Sequence, residues 1–510
     1  MHFPRSAGIL LHPTSLPGAF GIGDLGSSCG HFIQFLKECN LHLWQILPLG
    51  PTGYGNSPYQ TLSAFAGNPL LISPEELAKE NLVTDADLQN LKGHPETKVD
   101  FFRVIALKED LIRRAHDRYL AGHAPNLKQD FDTFCHQNCD WVDDYALFRA
   151  LKNRYNHSQW TRWPINLRRR EQKALQRSHE EMAHTIELFK FEQFLFSRQW
   201  HAVKKLAHEN GVEFIGDIPI FIAHDSSDCW AHQHMFDLTE DGETRLGAGV
   251  PPDYFSETGQ LWGNPVYHWD RMAESGFEWW VNRLRTTLTL VDRARIDHFR
   301  GFDAYWAVPA GHENAIHGEW KPGPGKDFFK VIAERLGELP IIAEDLGVIT
   351  DTVRDLRDHF DFPGMKILQF AFGDANGTND FLPHNYEKNC VVYPGTHDND
   401  TSQGWFQSLS ADANNHGARE SRALILKYLN KDNGTNIHWD LAIMAFSSIA
   451  DTAIIPLQDI LGLGTQARMN LPGVAENNWE WRFSAQQLTD EIRDKLRSLV
   501  QLYNRNHTNL

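Results

Sequence analysis

The sequence predicts an α/β protein closed into a (β/α)8 TIM barrel, a single catalytic domain over residues 1–510 with two inserted subdomains at the C-terminal face. Three observations predict it. Eight short apolar stretches of strand length recur along the chain. Amphipathic helical stretches lie between several of them, and strand–helix alternation implies parallel strands. Polar groups cluster at or just after the strand ends, where this fold carries its chemistry.

Residues 7–11 form the first strand. Residues 31–39 follow as a helix, with Phe32, Phe35 and Leu36 at helical spacing, and 43–49 is the second strand. Later strands fall at 213–218, 294–297, 340–344, 365–370, 390–393 and 452–457, three of them preceded by helical segments at 189–209, 328–336 and 352–358. Eight such strands favour a closed barrel over an open sheet. Residues 50–212 separate the second and third strands, far more than a simple connection needs. Part of that stretch, 74–174, reads as a charged helical insertion, with helices at 101–117 and 131–155. Residues 221–278 are rich in Gly, Pro, Trp and Tyr and read as a loop-built lid over the barrel mouth.

Bulk composition narrows the function. A chain of 510 residues that is 41% hydrophobic can bury a large core. Its formal net charge of -17 argues against a nucleic-acid partner, which needs dense Lys and Arg to neutralise phosphates. No run of about twenty apolar residues occurs, so no membrane span is expected. The apolar stretch 7–11 is too short for a signal-peptide core and is cut off at His12-Pro13. Six cysteines are too sparse for a disulfide framework and fit reduced thiols in a cytoplasmic protein. Cys135 and Cys139 would share a helix face near His136, but no second ligand pair with zinc spacing follows, so structural zinc is disfavoured there. The 16 Trp, 12 Tyr and 31 Phe are read mainly as core; flat rings among polar site groups would also suit the C–H faces of a sugar.

The polar strand ends are His12-Pro13, Asp217, Asp297-His298, Glu344-Asp345 and His397-Asp398. Three carboxylates stand out, in Arg295-Ile296-Asp297-His298-Phe299-Arg300-Gly301, Ala343-Glu344-Asp345-Leu346-Gly347 and Gly395-Thr396-His397-Asp398-Asn399-Asp400. A lone Asp at a strand end is more often a helix cap or a surface group; three converging ones with flanking Arg and His change that balance. Retaining glycoside cleavage needs two carboxyl groups about 5–5.5 Å apart, one attacking the anomeric carbon and one exchanging a proton with the departing and incoming oxygens. Arg295, two residues before Asp297 on a strand, faces the same way and should keep Asp297 ionised as a nucleophile. Glu344 follows Ile341-Ile342-Ala343, and drier surroundings would raise its pKa and suit a general acid.

These strings resemble the active-site regions of the α-amylase clan, and within it the chain is similar to the amylomaltases, the 4-α-glucanotransferases also called disproportionating enzymes. The likeness runs nearly end to end. It includes Gly8-Ile9-Leu10-Leu11-His12-Pro13-Thr14-Ser15-Leu16-Pro17, Gly53-Tyr54-Gly55-Asn56-Ser57-Pro58-Tyr59-Gln60, Gly216-Asp217-Ile218-Pro219-Ile220, Gly249-Val250-Pro251-Pro252-Asp253-Tyr254-Phe255, Gly259-Gln260-Leu261-Trp262-Gly263-Asn264-Pro265 and Arg468-Met469-Asn470-Leu471-Pro472-Gly473. It matches the short form, without an extended N-terminal region. The resemblance implies Asp297 as nucleophile, Glu344 as general acid/base and Asp398 as the third carboxylate, which grips sugar hydroxyls and stabilises the oxocarbenium-like transition state. It implies Arg295 and His397 as residues holding the reacting sugar and Asp217 as a group that orients the site by pairing with Arg295. Tyr59 matches an aromatic that stacks on the sugar at the cleavage point, and Tyr54 a more remote glucan contact. Ser57, Asp253, Trp262, His298 and Asn470 are further substrate-binding candidates from the same strings. No cofactor and no metal are implied. The expected partners are a maltodextrin or other α-1,4-glucan donor and a glucose or maltooligosaccharide acceptor.

Transfer rather than hydrolysis requires that water be held off while an acceptor is positioned. Tyr254, Phe255 and Trp262 among the prolines and glycines of 249–265 supply a lid for that purpose, and 464–473 an opposite wall of an acceptor groove. The nearest alternative is an α-1,4-glucan hydrolase of the same clan, whose carboxylates would look the same. A barrel metallohydrolase would want a His-x-His pair at the first strand end, where His12 is instead followed by Pro13 and Thr14. A catalytically dead glucan-binding protein is argued against by the intact carboxylate trio.

Overall fold

The computed structural model describes residues 3–252, 256–374, 376–411 and 415–507. Its centre is an eight-stranded parallel sheet: β1 Ser6–Leu10, β2 Leu43–Gln45, β3 Glu213–Pro219, β4 Arg293–Asp297, β5 Ile341–Ala343, β6 Gly364–Ile367, β7 Cys390–Tyr393 and β8 Thr452–Pro456. The hydrogen-bonded order is β6-β7-β8-β1-β2-β3-β4-β5, each neighbour parallel. The circle closes between β5 and β6, where Ala343 N–H donates to Pro363 O at 2.9 Å and Met365 N–H to Asp345 Oδ1 at 2.7 Å. A ring in strict chain order is the (β/α)8 arrangement. All eight strands expected from the sequence are present.

The strands are buried nearly throughout, and one approach depends on glycine. A Cβ on Gly8 would stand 2.2 Å from Leu43 O, so β1 and β2 pair as closely as they do because residue 8 has no side chain. Differences from the expected bounds have local causes. The second strand is shorter than 43–49: Ile46 makes one further bond to Ile215 O, and Pro48 cannot donate to a ladder. The stretch 365–370 ends as strand at Ile367 and turns as a 3-10 helix over Leu368–Phe370. The single helix expected at 131–155 is two, Leu127–Gln137 and Cys139–Arg154. They break at Asn138, whose Nδ2 donates to Phe134 O at 2.9 Å. Cys135 and Cys139 are therefore on different helices, and both are free thiols.

Between β2 and β3 the chain is helical. Helix Phe101–Leu120 packs with helix Ala183–Glu209, which leads back into β3. The long helix also anchors the loop after β2 through buried amides: Gln193 pairs with both backbone groups of Gly67, and Gln199 accepts from Ser73 N at 2.7 Å. The stretch 221–278 is more regular than a loop. Leu246–Val250 and Gln260–Pro265 join Ala304–Pro309 and Glu319–Pro322 in a second, antiparallel sheet of four strands. No described helix is long and apolar enough to cross a membrane.

Candidate active site

The inward face of β4 presents Arg293, Arg295 and Asp297 in succession, because side chains alternate along a strand. Beside it, β3 presents Glu213 and Asp217, with Asp217 in register with Arg295. Charge pairs thus stack inside the barrel. Arg293 bonds Glu213 at 2.5 Å, deeper in the barrel. One level nearer the C-terminal ends, Arg295 Nη1 donates to Asp217 Oδ1 and Oδ2 at 2.8 and 2.6 Å, while Nη2 donates to Asp297 Oδ1 at 2.9 Å. The guanidinium fork holds two carboxylates at once and fixes the rotamer of Asp297. Asp217, with no exposed side-chain surface, is held further by Tyr59 Oη, which donates to Oδ2 at 2.8 Å.

Glu344 stands one residue beyond β5. Its Oε2 accepts from His298 N at 2.6 Å and its Oε1 from Leu346 N at 2.9 Å. The turn after Asp297 that delivers the first bond needs His298 in the left-handed region, at φ 55° and ψ 48°. A non-glycine residue in that region is uncommon and costs energy. Here it aims a backbone donor at a carboxyl group. The neighbouring Asp345 points elsewhere and is consumed structurally by Arg357 and Met365 N.

Asp398 follows β7. Asn470 Nδ2 donates to its Oδ1 at 2.6 Å, and Arg468 Nη2 to its backbone oxygen at the same distance. His397 Nε2 lies 3.4 Å from its Oδ2. The ring of Tyr59 stacks on His397, centroids 5.1 Å apart and planes 14° from parallel. Trp479 closes on both rings at 5.9 and 6.1 Å. From the second sheet, Trp262 meets His298 edge to face at 4.8 Å, and Asn264 Oδ1 accepts from Gln60 Nε2 at 3.2 Å.

Burial governs the protonation states. It pushes Glu344 up to about 8, against the pull of Arg295, with Asp297 adding to the rise. It also pushes Asp297 up to about 6, where Arg295 opposes and Asp217 and Asp398 assist. Arg295 favours the ionised form of Asp297, as expected, but desolvation is the larger effect. Asp297 still opens 30% of its side-chain surface to the cleft, so it is the member of the pair that carries charge at neutral pH. His12 and His298 are pushed down to about 3 by burial, and both are neutral.

The structure thus gathers Tyr59, Asp217, Arg295, Asp297, His298, Glu344, His397, Asp398 and Asn470 at the C-terminal strand ends, with Trp262 reaching in from the second sheet. Tyr54 is 79% exposed on the turn Tyr54–Asn56. Ser57 caps the same loop, its Oγ accepting from Tyr59 N at 3.2 Å. Asp253, with Tyr254 and Phe255 of the expected lid, lies outside the described residues. Two contributors escaped the sequence. Trp479 carried no signal beyond being one of many tryptophans. Arg468 stood within a quoted string, but its hold on the Asp398 backbone is a tertiary fact.

Asp297 and Glu344 thus stand at the ends of neighbouring barrel strands, and comparison with known proteins gives the family. Residues 11–489 match Glyco_hydro_77, 4-alpha-glucanotransferase. The chain belongs to this family of 4-alpha-glucanotransferases. It is 48% identical over 504 residues to the 4-alpha-glucanotransferase of Synechocystis sp., covering 98% of each chain. It is 45% identical to that of Thermus thermophilus, covering 98% of this chain and 99% of the relative. Among solved structures, the amylomaltase of Streptococcus agalactiae in complex with acarbose superposes with a TM-score of 0.94 at 36% identity, covering 99% of this chain and all of that one. Amylomaltase from Corynebacterium glutamicum, at 18% identity and TM-score 0.76, shares the fold. The glucanotransferase moves part of a 1,4-α-glucan to an acceptor sugar, so each group above has a reaction to serve.

Proposed function

We propose that the 4-alpha-glucanotransferase works by a retaining double displacement in which Asp297 is the nucleophile, Glu344 the general acid/base and Asp398 the group that grips the sugar. An Asp297 oxygen attacks the anomeric carbon, and the bond from that carbon to the glycosidic oxygen breaks. Glu344 gives its proton to that oxygen, and the donor's reducing-end fragment leaves. The 4-hydroxyl of an acceptor then loses its proton to Glu344 and attacks the same carbon, which releases Asp297. The observation that carries this reading is the contrast between the two carboxyls. Glu344 is shut in and pushed up to about 8, whereas Asp297 is partly open and held by the Arg295 fork.

Tyr59 and His397, stacked and beside Asp398, form a flat platform suited to a pyranose face. Asn470 orients Asp398, and Trp262 and Asn264 bring the second sheet over the mouth, where they would hinder water. Tyr54, exposed on the rim, is assigned to a more remote part of the glucan. The proposed donor is a maltodextrin or similar α-1,4-glucan, the acceptor glucose or a maltooligosaccharide. The acarbose-bound Streptococcus agalactiae relative supports an oligosaccharide-sized cleft.

The test is incubation with maltotriose alone, with products separated over time. Glucose together with a ladder longer than the donor is expected; glucose and maltose with nothing longer would favour the hydrolase alternative and remove the water-exclusion argument. Asp297→Asn should lower turnover by at least about 10⁴-fold, the scale of losses on deleting a nucleophile or its partners, with glucan binding retained. Residual activity near wild type would remove Asp297 from the role.

A further inference from the structure

In the helical chain between β2 and β3, helix Phe101–Leu120 and helix Ala183–Glu209 bring together His116, Asp117 and His184. One ligand atom from each lies within 4.8 Å of the others. His116 is fully buried, and neither of its ring nitrogens has a hydrogen-bond partner. A buried imidazole with both nitrogens unsatisfied is costly, and native structures supply such groups with a partner. Its ring packs against Phe191 at 5.4 Å and meets His184 edge to face at 5.2 Å, so it is fixed while the two exposed residues can turn toward it.

From this juxtaposition we infer that His116, Asp117 and His184 form a binding site for a zinc-class divalent cation that clamps the two helices. Two imidazoles and a carboxylate are a borderline donor set that suits zinc, and water would complete a four-coordinate shell. Bonds of about 2.0–2.2 Å come within reach once the exposed His184 and Asp117 rotate. Because His116 and His184 are far apart in sequence but adjacent in the fold, the folded chain would bind the ion better than the unfolded one. None of the three residues is among those gathered at the barrel mouth, so the expected effect is on stability.

The test is titration of the full-length protein with Co2+, read by visible absorption, and with Zn2+, read by calorimetry and thermal unfolding. One ion per chain, a tetrahedral-type cobalt spectrum and a melting temperature that climbs with zinc are expected. His184→Gln and Asp117→Asn alter exposed positions and should fold; each should weaken binding by about tenfold or more and abolish the zinc-dependent shift. Glucan transfer by both variants should stay at the wild-type level. Binding and melting shift unchanged in both variants, or no stoichiometric cobalt binding by the wild type, would overturn the assignment.

Discussion

At the scale of single residues, the site is an arrangement of opposed protonation preferences. Arg295 binds two carboxylates, yet desolvation still lifts Asp297 to about 6 and Glu344 to about 8. The rate should therefore rise as pH passes about 6, where Asp297 ionises, and fall as pH passes about 8, where Glu344 loses its proton. A bell in kcat/KM with those limbs is the check, and they belong to the coupled pair rather than to either group alone. The same shifts cost stability. Glu344 binds its proton more tightly folded than unfolded, so its contribution is full below about 4.5 and is lost as pH rises through about 8. Glu344→Gln removes that dependence. The variant's gain over wild type in denaturant midpoint should grow between pH 5 and pH 8, while transfer is lost. A gain that shrinks over this range would contradict the assigned burial.

At the scale of elements, the second sheet is what distinguishes the mouth of this barrel. Strand Gln260–Pro265 carries Trp262 to the edge of His298, and Asn264 ties it to the loop that holds Tyr59. Trp262→Ala should raise the share of maltotriose products that arise by hydrolysis, measured as reducing ends gained per bond cleaved; an unchanged share would take Trp262 out of the water-excluding role. Much of this level was legible in the sequence, and the exceptions have physical causes. Several barrel strands are apolar on both faces and announce themselves as runs such as Ile341-Ile342-Ala343. Strand Glu319–Pro322 is nearly all polar or exposed, and the glycines of Leu246–Val250 mimic a loop. Such strands are defined by pairing, not by pattern. The break at Asn138 was hidden for the opposite reason, since the periodicity on its two sides joins smoothly.

At the scale of the whole molecule, the ring must be closed and its ends secured. Arg505, fully buried beyond the last helix, donates to Phe446 O, Ser6 O, Asp451 O, Ala445 O and Ser448 O, tying the C-terminal segment to the start of β1 and the approach to β8. Arg505→Met removes a buried donor that serves five backbone carbonyls at once. It should cost roughly 2–4 kcal/mol in denaturant unfolding, with little change in KM for maltotriose. No sequence pattern marks this clasp, because an Arg near a terminus reads as surface until the fold encloses it. The carboxylate trio was legible for a complementary reason. In a closed barrel the strand ends converge wherever the intervening chain wanders, so residues as distant as Asp217 and Asp398 share one mouth. The pairing of Arg295 with Asp217 and its place beside Asp297 were legible too; what could not be read was the backbone clamp on Glu344 and the Asn470 bond to Asp398, which depend on register and rotamer.

A covalent link from Asp297 to the sugar can be trapped. Glu344→Gln protein, given an α-glucosyl fluoride whose leaving group needs no proton, should accumulate an adduct by intact mass measurement. Digestion should place the added sugar on the peptide containing Asp297, and the adduct should be absent when Asp297→Asn is added. An adduct on another residue, or turnover with inverted anomeric configuration and no adduct, would rule out Asp297 as the nucleophile.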